Sequence, residues 1–126
     1  MAIDFKNATF AKLKAVDNST FANMLAPILV NGEQIVASFK GIRDGVVFTD
    51  KRIVSINVQG LVGKKKDFTS MPYNKIQVFS VETSGAAGDW DTELEMWFSG
   101  VGMVKFEFHK TLDILEICRM ISEYVL

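Results

Sequence analysis

The pattern that most constrains this chain is a change in hydrophobic periodicity at Gly32. Between Gly32 and His109, apolar residues occupy every second position in short runs, and turn-forming residues separate one run from the next. Strict alternation of this kind is typical of strands with one buried face and one wet face. Because the connections are short and contain no helical pattern, the sequence favours an antiparallel sandwich or barrel over a parallel sheet.

Seven strands are expected in this part of the chain. Its centre is formed by residues 44–58, which read as two short strands joined at residues 49–51. The last strand, at residues 104–109, has the most regular alternation. The expected strands cover residues 35–40, 46–48, 54–58, 67–71, 76–83, 93–98 and 104–109.

The residues before the first of these strands, 1–32, predict a helical arm. In the first half of the arm the only helical spacing is that of Phe10 and Leu13, which predicts a short helix. A second helix is expected from Phe21 onward, where apolar residues recur at three-to-four spacing. Pro27 predicts a kink or a break in it, because proline lacks an N–H group and clashes with the preceding turn.

Residues 111–126 predict an amphipathic helix that closes the open end of the barrel. Thr111 is placed to cap its N-terminus. One face of this helix is apolar and consists of Ile114, Ile117, Cys118, Ile121 and Val125. Leu112 and Met120 fall on the charged arc instead, where both would be exposed in a monomer.

Length and composition bound the class of protein. A chain of 126 residues corresponds to one domain, here an arm at 1–32, a barrel at 33–109 and a capping helix at 111–126. The net charge of -1 gives no electrostatic reason to expect nucleic acid as a partner. No apolar run approaches the ~20 residues that span a bilayer, and no signal-peptide pattern is present. Since the one cysteine, Cys118, cannot form an internal disulfide, we expect a cytoplasmic protein.

Lys64, Lys65 and Lys66 form the densest positive run and are the candidate contact for an anion or an acidic partner. Arg52 is a candidate member of the same patch. However, polybasic lipid sites use clusters of ~4–8 basic residues, and lysines also protect a sheet edge from unwanted pairing. Binding of anionic lipid headgroups is therefore the alternative function, and a membrane surface is not the expected partner.

Apolar side chains on polar faces indicate a partner surface. Trp97 points outward from its strand, and Leu112 and Met120 lie on the charged arc of the last helix. Because copies of the same protein are the simplest partner, these three residues predict contacts in a homo-oligomer. Another protein or peptide is the second expected partner.

No group of residues has the spacing of a catalytic, metal or cofactor site. Carboxylates occupy alternate positions from residue 89 to residue 95, but Leu94 and Gly100 stand where a calcium-binding EF-hand needs glycine and glutamate. His109 and Cys118 lack the neighbouring groups that nucleophilic catalysis requires. We expect a non-catalytic protein that holds no metal and no cofactor.

Several motifs follow one another in order along the chain. They are Ile42-Arg43-Asp44, Phe48-Thr49-Asp50-Lys51-Arg52, Gln59-Gly60, Gly63-Lys64-Lys65, Ser70-Met71-Pro72-Tyr73 and residues 79–85. Together they resemble the bacterial PH-domain family, which is pleckstrin-homology-like and was formerly described as a domain of unknown function. The resemblance implies a seven-stranded antiparallel PH-like barrel capped by a C-terminal helix, assembly into closed rings and no enzymatic activity. It supplies no ligand.

Overall fold

The computed structural model describes residues 8–42, 44–59, 65–83, 85, 89–90 and 92–126. These residues form one curled sheet of eight strands, a half-barrel, followed by a C-terminal helix. The strands are β1 (Ala8–Val16), β2 (Ile35–Lys40), β3 (Asp44–Thr49), β4 (Arg52–Gln59), β5 (Lys65–Pro72), β6 (Ile76–Glu82), β7 (Thr92–Phe98) and β8 (Gly102–Phe108), and the helices are α1 (Ala22–Leu25) and α2 (Ile114–Val125).

The strands follow the order β5-β4-β3-β2-β1-β8-β7-β6 across the sheet. Neighbouring strands pair antiparallel, except that β1 and β8 run parallel. The predicted class, a mainly β PH-like fold ending in a helix, is confirmed. The strands predicted from alternation correspond to β2 to β8, with bounds that differ by a few residues.

The N-terminal arm differs from the prediction, because residues 8–16 form β1 instead of a helix and bring the number of strands to eight. The first half of β1 pairs with β8 and the second half with β2, so that β1 joins the two halves of the sheet. The register shifts between Phe10 and Leu13, where Lys12 has a left-handed φ of 57°. Because of this bulge, the side chains of both Phe10 and Leu13 point into the core. Two core residues three positions apart are typical of a helix, although here they lie in a strand.

The rest of the arm is helical only in short pieces. The helix expected there, with a kink or a break at Pro27, is replaced by a single turn of 3-10 helix (Asn18–Thr20) and by α1, which ends at Leu25, before Pro27. The side chains of this segment cover the outer face of β3 and β4, in a second apolar cluster made of Phe21, Leu25, Val47, Val54 and Ile56. The ring of Phe21 lies directly over Gly45, where an added Cβ would stand 2.6 Å from Cζ. As a result, β3 is buried on both faces.

Helix α2 packs its apolar face against the inner core of the half-barrel. The buried residues of that face are Ile114, Ile117 and Ile121, whereas Cys118 and Val125 are only partly buried. The N-cap is Asp113 and not Thr111, since Asp113 Oδ1 accepts the backbone N–H of Leu115 at 3.2 Å. A negative side chain at this position also interacts favourably with the positive end of the helix dipole.

Two tyrosines attach the end of α2 to the sheet. The ring of Tyr124 stacks on Tyr73 with a centroid distance of 4.9 Å. The hydroxyl of Tyr73 donates to the carbonyl oxygen of Thr49 at 2.7 Å, and burial of this hydroxyl raises the pKa of Tyr73. Neither helix in the described part of the chain is long and apolar enough to cross a membrane.

Candidate interaction surfaces

The open sheet leaves two different edges. β5 and β6 stand at the two ends of the strand order, and among the described residues no strand pairs with the outer side of either. An unpaired edge presents a row of backbone N–H and C=O groups to which another strand can add. Because β5 and β6 differ in sequence, the two edges are unlike surfaces.

The lysine patch lies at the start of β5. Lys65 and Lys66 are exposed there, whereas Lys64 lies outside the described residues. Arg52 begins β4 and pairs with the last residue of β5, while Gln59 at the other end of β4 pairs with Lys65. Along a strand, the distance from Arg52 to Gln59 is about 23 Å. The prediction that Arg52 shares the lysine patch is therefore wrong.

Arg52 is held by Glu33 instead. Its guanidinium donates to both carboxylate oxygens of Glu33 at 2.9 Å. It also donates to the carbonyl oxygen of Ile28 at 2.7 Å and to the hydroxyl of Ser70 at 2.9 Å. The side chain of Glu33 is 0% exposed and that of Arg52 is 19% exposed. This ion pair fastens the chain that follows α1 to the turn between β3 and β4.

Two further donors surround the carboxylate of Glu33. The hydroxyl of Thr49 donates to Oε2 at 2.6 Å, and the N–H of Val30 donates to Oε1 at 3.1 Å. Burial alone would raise the pKa of Glu33, but the hydrogen bonds from Arg52, Thr49 and Val30 outweigh it and lower the pKa to about 2. Sequence reasoning missed this site because Glu33 and Arg52 are 19 residues apart and no local pattern links them.

An apolar row crosses the outer face of β6, β7 and β8. Trp97 lies in its middle and pairs with Val78 on one side and Met103 on the other. Trp97 is 36% exposed and Val78 is 54% exposed. Trp97 thus points outward, and its contact in an oligomer stays a prediction. Val78 and Met103 were not predicted, since only the strand register shows that they neighbour Trp97.

Helix α2 and β2 border a groove of about 390 Å³. Ile117 and Met120 line it from α2, and Leu112 lines it from just before that helix, opposite Ala37 of β2. Leu112 and Met120 are partly buried and pack against the core, so the prediction that both are exposed is wrong. The neighbouring strand shelters them, and the exposed apolar residue of the helix is Leu115.

The alternating carboxylates contribute to an acidic cluster on the outer face of β6 and β7. Single carboxylate oxygens of Glu82, Glu93 and Glu95 lie within 4.8 Å of one another. The ammonium group of Lys105 lies 3.0 Å from Glu93, and this hydrogen bond raises the pKa of Lys105. Because the cluster includes its own counter-charge, we assign no metal ion to it.

His109 belongs to a set of contacts between the end of β8 and residues 89–90. The rings of Trp90 and His109 pack edge to face, with their centroids 5.0 Å apart. Nδ1 of His109 lies 2.8 Å from the hydroxyl oxygen of Thr111. Next to it, Lys110 forms an ion pair with Asp89 at 2.9 Å. These contacts give His109 a structural role at the end of β8.

The half-barrel and the helix that closes it define the protein as a PH-like module. The sequence profile of the family described as Bacterial PH domain matches residues 4–125. The chain belongs to the bacterial PH-domain family.

Known relatives agree with this assignment. The uncharacterised protein YjqA of Bacillus subtilis (strain 168) is 45% identical over 100 residues, which are 78% of this chain and 79% of YjqA. The crystal structure of a DUF1696 family protein with a pleckstrin-homology domain from Shewanella loihica PV-4 matches with a TM-score of 0.79 and 37% identity, over 92% of this chain and 99% of that one. A pleckstrin homology domain from Shewanella amazonensis SB2B matches with a TM-score of 0.66 and 39% identity, over 88% and 90% of the two chains.

Proposed function

We propose that this protein is a non-catalytic interaction module that assembles with copies of itself into rings. The observation that carries the proposal is the pair of unlike edges, β5 and β6, at opposite ends of one open sheet. A contact between two unlike surfaces runs head to tail, and it closes into a ring when the rotation from one subunit to the next allows. Pairing of β5 with β6 of the next copy would satisfy backbone groups on both edges.

The apolar row supports β6 as one side of this contact. Val78 lies on the edge strand itself, and the large side chain of Trp97 lies beside it. Aromatic side chains are enriched at the centres of protein interfaces, where they bury much apolar area. An assembly through β6 would remove this row from water.

The non-catalytic part of the proposal rests on how the polar groups are used. Glu33, Glu93 and Asp89 are engaged in ion pairs, and His109 contacts Trp90 and Thr111. A role in the cytoplasm is part of the same proposal, since a chain with one cysteine cannot form an internal disulfide. Other proteins or peptides would bind to the surfaces that the ring leaves open.

Light scattering on the full chain tests the assembly. We expect the wild-type chain to have the mass of several subunits at micromolar concentration. Val78→Asp should lower that mass towards a single chain, because it places a charge in the apolar row. Leu115→Asp is the matched control, an exposed leucine on α2 outside the row. A wild-type mass of one chain contradicts the proposal, and an unchanged mass for Val78→Asp excludes the apolar row as a contact.

Binding of anionic lipid through the lysine patch is the competing function, and the exposure of Lys65 and Lys66 favours it. Co-sedimentation with phosphatidylserine-containing vesicles at low salt distinguishes the two functions. Binding that disappears in Lys65→Glu/Lys66→Glu would support a lipid-binding role. An absence of binding at low salt would remove that role.

A further inference from the structure

The outer face of the edge strand β6 changes character along its length. Near its start, Val78 lies in the apolar row beside Trp97. At its end, Glu82 is exposed and pairs with Glu93 of β7. Ser80 stands between them, and the alternate residues of the strand pack against the core. This edge is therefore apolar where β6 begins and acidic where it ends.

The acidic end of this edge carries more negative than positive charge. Single carboxylate oxygens of Glu82, Glu93 and Glu95 lie within 4.8 Å of one another. Lys105 compensates one of these charges through its ion pair with Glu93. Within the described part of the chain, neither Glu82 nor Glu95 forms an ion pair. Two negative charges remain, and they favour a positively charged neighbour on the free side of β6.

The edge strand β5 has the complementary charge at its own start. Lys66 is exposed there. It lies two residues before Phe68, which packs against the second apolar cluster, so the alternation of a strand places Lys66 on the outer face. Further along the same face Ser70 is uncharged, and the guanidinium of Arg52 beside it is paired with Glu33. This edge is therefore basic where β5 begins and has no unpaired charge towards its end.

The two edges of one molecule do not meet. β5 pairs with β4 and β6 pairs with β7, and the two strands stand at opposite ends of the strand order although only residues 73–75 separate them in sequence. The free sides of both strands are thus available to other copies. In an antiparallel contact between copies, Lys66 stands opposite Glu82 and Ser70 opposite Val78. A parallel contact would instead set Lys66 against the apolar start of β6.

We propose that β5 of one copy adds antiparallel to β6 of the next, with Lys66 opposite Glu82. This inference rests on the self-assembly proposed above and adds its orientation and the charge pair that makes it specific. Opposite charges directly across an antiparallel pair stabilise it. Contacts between like edges lack this pair, because two β5 strands bring no carboxylate to Lys66, and two β6 strands related by a two-fold axis set each acidic end against an apolar start. The charges therefore select the head-to-tail contact from which rings form.

Charge reversal in the full chain tests the pair. Lys66→Glu sets two carboxylates against each other in every contact, and Glu82→Lys sets two ammonium groups against each other. Each change should raise the dissociation constant of the assembly by about tenfold, because a favourable cross-strand pair is replaced by a repulsive one. Light scattering over a concentration series measures this constant. Lys40→Glu and Glu116→Lys are the matched controls, exposed charges on β2 and α2 that should leave the constant unchanged.

Combining the two reversals gives the specific readout. Lys66→Glu/Glu82→Lys restores an opposite pair in every contact, so the dissociation constant should return towards the wild-type value. Lys40→Glu/Glu82→Lys has the same net charge without the matching pair, and it should associate as weakly as Glu82→Lys alone. Recovery in the first combination also shows that the single reversals leave the chain folded. If a reversal unfolds the chain in dilute protein, a double-mutant cycle of Lys66→Gln and Glu82→Gln supplies the same comparison.

The other outcomes contradict the inference in different ways. If either single reversal keeps the wild-type dissociation constant, Lys66 and Glu82 are not partners, while self-assembly stands. If both reversals weaken association and the combined variant does not recover, the two residues do not face each other and the antiparallel register is wrong. If the wild-type chain has the mass of a single chain, self-assembly is wrong and this contact with it.

Discussion

At the scale of residues, the ion pair of Glu33 and Arg52 is the most specific polar feature of the structure. Glu33 is the only charged residue among the buried ones in the described part of the chain. Its carboxylate accepts four hydrogen bonds, two of them from Arg52. A buried carboxylate without such donors would destabilise the fold by several kcal/mol. The pair therefore specifies how the segment before β2 joins the turn between β3 and β4.

Acid should weaken the folded state through Glu33. Its pKa falls from 4.5 to about 2 on folding, so the ionised carboxylate stabilises the fold above the higher value, and this contribution disappears as the pH falls towards the lower one. A shift of this size corresponds to about 3 kcal/mol. Urea unfolding at about pH 5 and about pH 2.5 should show a larger loss of stability in the wild-type chain than in Glu33→Gln, which does not titrate. An equal loss in both proteins would assign the acid sensitivity to other carboxylates.

At the scale of elements, the segment between β1 and β2 covers the outer face of the sheet. Phe21 and Leu25 pack there against Val47 and Val54, which would otherwise be apolar residues on a wet face. Gly45 allows this close packing, because the side chain of any larger residue would clash with the ring of Phe21. The cover turns the central strands into a layer between two apolar clusters.

Gly45→Ala should destabilise the protein by about 1–3 kcal/mol, because the added methyl group overpacks the contact with Phe21. In a Phe21→Ala background the same change should have little effect, since the ring is absent. A double-mutant cycle measured by urea unfolding provides the comparison. Equal effects of Gly45→Ala in the two backgrounds would show that the strain arises from other contacts.

Helix α2 offers two aliphatic residues with opposite surroundings. Ile121 is 0% exposed and Leu115 is 60% exposed. Ile121→Ala should lower the free energy of unfolding by about 2–5 kcal/mol, because it leaves a cavity in the core. Leu115→Ala should change it by less than about 0.5 kcal/mol. Thermal and urea unfolding measure both, and similar losses would contradict the packing of α2 on the half-barrel.

At the scale of the whole molecule, the half-barrel is open at one place. A 3-10 turn (Tyr73–Lys75) connects β5 to β6, and the two strands do not pair. On the other side, β1 closes the sheet by joining β2 to β8, with pairs as distant in sequence as Phe10 and Phe106. The two edge strands that the proposed assembly uses therefore follow each other in the sequence, although they stand at the two ends of the strand order.

Assembly through these edges predicts a pattern of amide hydrogen exchange. Amides of β5 and β6 should exchange more slowly in concentrated protein than in dilute protein, because pairing with another copy protects them. Amides of β1 and β2, at the centre of the strand order, should not change. Exchange followed by mass spectrometry over a concentration series measures this. Slower exchange throughout the chain would show that assembly stabilises the whole fold and not its edges.

The sequence by itself determined the features that depend on near neighbours. Alternation predicted β2 to β8, and three-to-four spacing predicted α2, because these periods follow from the local geometry of strands and helices. Alternation within one strand also indicated that Trp97 points outward, and the exposure of Lys65 and Lys66 agrees with their polar sequence.

Only the tertiary structure decided the rest. Phe10 and Leu13 have the spacing of a helix, and their place in a strand follows from a bulge that pairing with β8 imposes. Arg52 was expected in the lysine patch, but its guanidinium binds the carboxylate of Glu33, 19 residues away. Met120 lines a groove because β2 lies beside it. In each case the surroundings of a side chain depend on residues that are distant in sequence, which no local period records.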